Sequence, residues 1–252
     1  LVGGLMALAG ALTFSELVGQ MPHAGGQYVY LKEAYGPLVG FLFGWAYFLV
    51  VNAGGLGALS VAFATYFGYF VPLGPAGAKA VAIGGLLALT AINVAGVKAG
   101  AFFSDVFTVL KLAGIAGLVA VGLTFGSSQT SSGSLSAATL PGGLGAGLAA
   151  AMVGVLWSTG GWQHATYASA EIRDARRTLP LAMTLGTAAV TLIYLAVNVA
   201  YLFLLTPSEM AASPRVAADA VSRALGPVGG SLISLAIFIS TFGVVAIYTL
   251  TA

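Results

Sequence analysis

Charged and strongly polar side chains are so sparse along this chain that they divide it into seven apolar segments. These run over about 1–18, 38–70, 80–97, 101–125, 144–169, 180–205 and 229–252. The apolar positions do not alternate every second residue as they would in a barrel strand, so the pattern predicts α-helices. Taking the fifth as an example, about 26 residues at 1.5 Å each give roughly 39 Å, enough to cross a bilayer. Between the segments the character changes. Gly126–Gly143 is rich in Ser and Gly and is expected to be a flexible loop. Thr206-Pro207-Ser208-Glu209 reads as a helix start, and Val216, Val221 and Leu225 suggest a short amphipathic helix on the surface. Leu1 and Ala252 both lie inside apolar runs. The expectation is a single transmembrane domain over 1–252, truncated at both ends, with Leu1–Val18 a spanning helix and not a signal peptide.

The fifth segment is unusual in its middle, where Trp157-Ser158-Thr159-Gly160-Gly161-Trp162-Gln163-His164 interrupts the apolar run. Each glycine costs a helix about 1 kcal/mol relative to alanine. Ser158 and Thr159 offer the backbone competing hydrogen bonds. Unwound backbone survives in hydrocarbon only inside protein or beside a water-filled cavity. Two readings fit: a ligand site at membrane depth, as in transporters with discontinuous helices, or a close helix-packing face.

Composition fixes the class. With 59% hydrophobic and 6% charged residues, this is a multi-spanning membrane protein, and the lipid bilayer is its first partner. Zero cysteines exclude disulfides, cysteine-ligated metals and thiol nucleophiles, and a formal charge of +2 gives no footprint for nucleic acid. No Ser/His/Asp, HExxH or paired-Asp arrangement lies at matching depths, so neither an intramembrane enzyme nor a metal or cofactor site is expected. If the loop 19–37 is cytoplasmic, Lys32, Lys98, Arg173, Arg176 and Arg177 fall inside and Lys79, Arg215 and Arg223 outside.

Lys111 is left within the fourth span, about ten residues or roughly 15 Å from its start at Ala101. A charge at that depth costs several kcal/mol unless it snorkels, pairs or faces a cavity, and so it is a functional candidate.

Several stretches together resemble the amino acid–polyamine–organocation permeases. Ser15-Glu16-Leu17 and Pro22-His23-Ala24-Gly25-Gly26-Gln27-Tyr28-Val29-Tyr30-Leu31-Lys32-Glu33-Ala34-Tyr35-Gly36-Pro37 resemble that family's first cytoplasmic loop. Asn93 to Gly100 and Thr108-Val109-Leu110-Lys111-Leu112 are similar to its fourth and fifth helices. Gly160-Gly161-Trp162, Glu171-Ile172-Arg173-Asp174 and Thr178-Leu179-Pro180 resemble its sixth helix and the following loop, and Tyr194 to Tyr201 its seventh. The closest flavour is the L-amino-acid transporter-like branch.

The resemblance implies an all-α, five-plus-five inverted-repeat fold, of which this chain holds helices two through eight. It departs from the family in lacking the first helix, whose backbone N–H groups bind the substrate carboxylate. By the resemblance, carbonyls freed around Ser158, Thr159 and Gly160 accept hydrogen bonds from the ammonium of an amino acid substrate, with Gly161 allowing close approach. Trp157 is then the aromatic gate, Gln163 a polar side chain that tunes substrate choice, and Tyr248 a substrate-contacting aromatic or a core tyrosine. Ser240 and Thr241 resemble the hydroxyl pair that holds the ion in sodium-coupled relatives. In proton-coupled and exchanger relatives a lysine at the position of Lys111 enters that ion site, so the expectation is proton symport or exchange. The implied function is secondary active transport of amino acids by alternating access, in the plasma membrane.

Other residues read more plainly. His23 is expected to be a loop or interface histidine, and His164 a helix-packing residue or a proton sensor. Glu171 and Asp174 beside Arg173, Arg176 and Arg177 form a charged cytoplasmic face. No carboxylate lies in the central spans except Asp105 near the inner end of its helix, which favours a neutral, zwitterionic substrate. A seven-helix receptor, another polytopic membrane protein and an inactive permease fragment are the alternatives.

Overall fold

A computed structural model describes residues 1–21, 24–95, 100–126 and 143–251. His23, Lys98 and most of the expected flexible loop, residues 127–142, lie outside them, as does the side chain of Asp105. The described chain is built from α1 (Val2–Gln20), α2 (Gly26–Tyr35), α3 (Pro37–Ala46), α4 (Ala53–Phe67), α5 (Pro75–Ala95), α6 (Gly100–Phe125), α7 (Gly143–Thr159), α8 (Ala175–Leu204), α9 (Pro207–Ala212) and α10 (Val216–Thr251). A π-helical turn, Tyr47–Asn52, joins α3 to α4, and a 3₁₀ segment, Trp162–Glu171, follows α7. Among the described residues, seven helical stretches are long and apolar enough to cross a membrane, in agreement with the all-α reading. Side chains such as Leu5, Phe41, Leu87, Val109, Val153 and Leu192 are all more than half exposed on them, which suits contact with lipid or with further helices.

The chain divides into two compact units. The first, Leu1–Ala46 with Ser134–Ala196, has a core of Ala11, Val18, Tyr30, Leu179 and Met183, edged by Phe14 and Trp162. Small residues on α1 make this packing close: Gly3 lies directly against Val155 and Gly4 against Thr191, where a Cβ would collide with the facing side chain. Gly36, at φ 92, turns α2 back onto α3, and a Cβ on Gly40 would lie 2.9 Å from the Cβ of Lys32. Among the described residues no hydrogen bond reaches the buried Tyr30 hydroxyl; the nearby Thr166 hydroxyl donates to the Gln163 carbonyl at 2.7 Å. Burial accordingly pushes the Tyr30 hydroxyl above its usual range, with Thr166 opposing only in part.

In the second unit, Tyr47–Gly133 with Val197–Ala252, α10 packs against α4, α5 and α6. Phe63 stacks on Phe238 at 4.7 Å between ring centroids, and Gly85 leaves room for the Phe63 ring. Gly122 lets α6 approach Ala200 on α8. The segment between the sixth and seventh apolar runs is tightly tied. Thr206 and Glu209 form a capping box over α9. Arg223 makes a two-pronged ion pair with Glu209, at 3.0 and 2.7 Å, and donates to the Leu204 carbonyl at the end of α8. The guanidinium of Arg215 lies 5.2 Å from the centroid of the Tyr69 ring. Gly226, at φ 70 and ψ −168, separates the amphipathic residues 216–225 from the apolar part of α10, which Pro227 opens.

Candidate functional site

The interruption of the fifth span begins with the side chains of Ser158 and Thr159. Both hydroxyls turn back to the Val155 carbonyl, at 3.0 and 2.8 Å, and both residues stay within α7, which ends at Thr159. Such back-bonding bends a helix. Gly160 and Gly161 then break it. Gly161 has φ 110 and ψ −24, a conformation that costs L-residues about 1–3 kcal/mol, and nothing lies within 4 Å of where its Cβ would be. Glycine is therefore required here by the backbone and not by space.

The chain resumes as a 3₁₀ helix of 10 residues, far longer than the three or four in which that geometry usually persists. Three side chains hold the junction. Gln163 accepts the Gly161 N–H through Oε1 at 2.9 Å, so the carboxamide expected to face substrate is engaged with the main chain on its oxygen side. Tyr194, on α8, donates its hydroxyl to the Ser158 carbonyl at 2.8 Å. Trp162 packs its indole over Gly10, with Phe14 edge-on at 5.1 Å. A helix end leaves its last carbonyls without intrahelical donors, so α7 presents main-chain acceptors at Thr159 and its neighbours. Trp157 is 59% exposed and stands clear of the unit-one core.

Past the break, the 3₁₀ segment docks on α2. The Gly25 N–H donates to the Tyr167 carbonyl at 3.3 Å, and the Tyr167 hydroxyl to Gln27 Oε1 at 3.1 Å. His164 is half-buried, its ring centroid 5.7 Å from that of Tyr167.

The remaining expected residues belong to the second unit. Lys111 and Ser240 line one cavity of about 90 Å³, together with Ile115, Leu118, Tyr201 and Ile237. That volume has room for about three waters. The structure thus brings Lys111 and Ser240 together. Thr241 is buried, and its hydroxyl donates to the Ile237 carbonyl within α10, which leaves Ser240 as the hydroxyl of the pair that faces the cavity. Tyr248 packs its ring against Gly55 of α4.

Sequence reading had not placed Tyr194 or Gly10 at the break. A tyrosine in an apolar span was a signal for the first. For the second, only the Gly3-Gly4-Gly10 spacing on α1 hinted at close packing.

A family model described as amino acid permease matches residues 1–252. The serine/threonine exchanger SteT of Bacillus subtilis (strain 168) is 33% identical over 244 residues, covering 96% of this chain and 55% of that protein. The b(0,+)-type amino acid transporter 1 of Mus musculus is 30% identical, covering 95% of this chain and 50% of that protein. The large neutral amino acids transporter small subunit 2 of Homo sapiens is 30% identical, at 96% and 46% coverage. The chain spans about half the length of the curated relatives it matches. A match along the whole chain, seven membrane-capable helices and a glycine break in the fifth of them agree: the chain belongs to the amino acid permease family.

Proposed function

We propose that the protein containing this chain is a multi-pass plasma-membrane transporter that exchanges neutral amino acids by alternating access. The observation that carries the proposal is the interruption at Gly160–Gly161 in a family of amino acid permeases. Main-chain acceptors at a helix end match the ammonium of an amino acid, and glycine lets the ligand approach the backbone closely. In this reading Ser158, Thr159, Gly160 and Gly161 supply that half of the substrate site, Trp157 gates it, Gln163 shapes it, and Tyr248 contributes an aromatic wall. The Ser158 carbonyl already accepts from Tyr194, which supports Thr159 and Gly160 as the acceptors left for substrate in this reading.

Lys111 with Ser240 and Thr241 stands in for a sodium ion in this reading. A fixed ammonium in an apolar-walled cavity repels a second cation, which supports sodium-independent exchange or proton symport. Two of the similar proteins bear on the choice: one is named an exchanger and one a transporter of large neutral amino acids.

Full-length protein in proteoliposomes tests this. Labelled L-serine, L-alanine and L-leucine are expected to enter only when unlabelled amino acid is inside or a proton gradient is imposed, and equally well without sodium. Sodium-dependent uptake sinks the coupling assignment. Competition by L-arginine but not by neutral amino acids sinks the substrate class.

A further inference from the structure

The first helix touches the broken span on both sides of its break. Gly3 of α1 meets Val155, before the interruption, and Gly10 meets Trp162, after it. Gly3 and Gly10 are seven residues apart, as are Val155 and Trp162. On a helix that spacing is about two turns, or roughly 10.5 Å. α1 therefore lies along the interruption as a splint and sets how far apart the two halves stand.

The Trp162 end of the splint is the tighter in chemistry. A Cβ on Gly10 would lie 2.6 Å from Cζ2 and 2.8 Å from Cη2 of the indole. The ring cannot back away freely, because Phe14 lies edge-on to it and both border the core of Ala11, Val18 and Tyr30. Trp162 directly follows Gly161, whose φ of 110 offers no side-chain contact to hold it. The direction in which the chain leaves the break is thus fixed by the indole in its notch.

We propose that Trp162, seated against Gly10, is the positioning residue for the main-chain acceptors at Thr159 and Gly160. This rests on the reading of the break as the substrate site. Trp162 need not touch substrate; it acts on the backbone two and three residues before it. A rigid aromatic held between Gly10 and Phe14 keeps orphan carbonyls where a ligand ammonium finds them without first ordering the chain.

The test uses full-length protein in proteoliposomes with Gly10→Ala, Trp162→Phe, the double variant and Gly161→Ala. L-serine, L-alanine and L-leucine exchange are measured, with thermal stability in detergent alongside. Gly10→Ala is expected to raise KM about tenfold while changing the maximal rate far less; tenfold corresponds to about 1.4 kcal/mol. Trp162→Phe removes the ring edge that meets Gly10, so the double variant is expected to recover KM relative to Gly10→Ala. A lowered melting temperature with unchanged KM, or additive effects in the double variant, overturns the notch. Gly161→Ala separates the two ideas. If it raises KM while Gly10→Ala does not, the substrate site stands and the notch falls. If neither moves KM, or no saturable exchange of the three amino acids is seen, the substrate reading falls and the notch with it.

Discussion

Two of the apolar helices are interrupted at a glycine of positive φ, Gly161 after α7 and Gly226 within α10, and the two are closed in different ways. At both positions open space surrounds the missing Cβ, so both need glycine for its backbone freedom. Gly226 is followed at once by Pro227, which is pre-set for the first turn of a new helix and has no N–H to satisfy. The residues before it carry Asp219 and Arg223, both exposed, the first accepting from the Ser213 hydroxyl and the second paired with Glu209. Gly161 is followed by 3₁₀ backbone, and its neighbourhood is pinned by Gln163, by Tyr194 from α8 and by Trp162 against α1. Where water can serve the freed groups, local caps are enough. At membrane depth, other helices must supply partners, and whatever they leave unserved is available to a ligand.

The sharpest way to break this comparison is to put alanine at each glycine. Both substitutions force an L-residue into positive φ and are expected to cost on the order of 1–3 kcal/mol of stability. Only Gly161→Ala should cost substrate affinity, by tenfold or more, if the proposed substrate site lies at that interruption. Equal KM values in the two variants, measured by exchange in proteoliposomes, would erase the distinction. A smaller effect is expected from Tyr194→Phe. Losing one neutral hydrogen bond is worth about 0.5–1.5 kcal/mol, or a few-fold in KM. The Ser158 carbonyl is then released, so altered preference among L-serine, L-alanine and L-leucine should accompany the loss. Thr206→Ala, at the surface, should cost about 1 kcal/mol through its capping role and leave KM alone. Hydrogen exchange of amides 208–212 is the direct measure.

How much of this was legible beforehand follows the range of the interactions. The helices were written in uninterrupted apolar runs, and the break in two adjacent glycines behind Ser158 and Thr159. The helix ends at Thr159, directly before those glycines, with both hydroxyls folded back onto the Val155 carbonyl. α8 begins at Ala175, five residues before the expected 180, since Asp174 turns the chain at φ 50 and its carbonyl accepts the Arg177 and Thr178 N–H groups. A basic, polar stretch thus became the first turn of a spanning helix. The π-helical turn at Tyr47–Asn52 had no sequence signal, as it lies in an evenly apolar run. Tyr194 is 36 residues from its acceptor, and Gly10 lies still further from Trp162, so their roles arise only from packing. The pairing of Lys111 with Ser240 came from family resemblance and could not have come from spacing.

The surface joint also carries its own pH dependence, the smallest effect expected here. Glu209 accepts from the Thr206 backbone N–H at 2.7 Å, then from Arg223 and from the Thr206 hydroxyl at 2.9 Å. These donors hold its carboxyl at about 2, against an ordinary 4.5. A carboxylate depressed on folding stabilises the folded state fully above the unfolded value, and that contribution is lost as pH falls from about 4.5 toward 2. The side chain is open to solvent, so added salt should shrink the Arg223 share while leaving the backbone contact in place. Exchange of the 208–212 amides is therefore expected to be flat from neutral pH to about 5, after correction for intrinsic rates, and to lose protection below that. Glu209→Gln should show the loss at every pH and no transition. The break at Gly161 has no comparable carboxylate, so substrate binding should show no step in that window. A transition near 4 shared by KM and by the 208–212 amides would mean that the two interruptions act as one device, and the contrast drawn between them would fail.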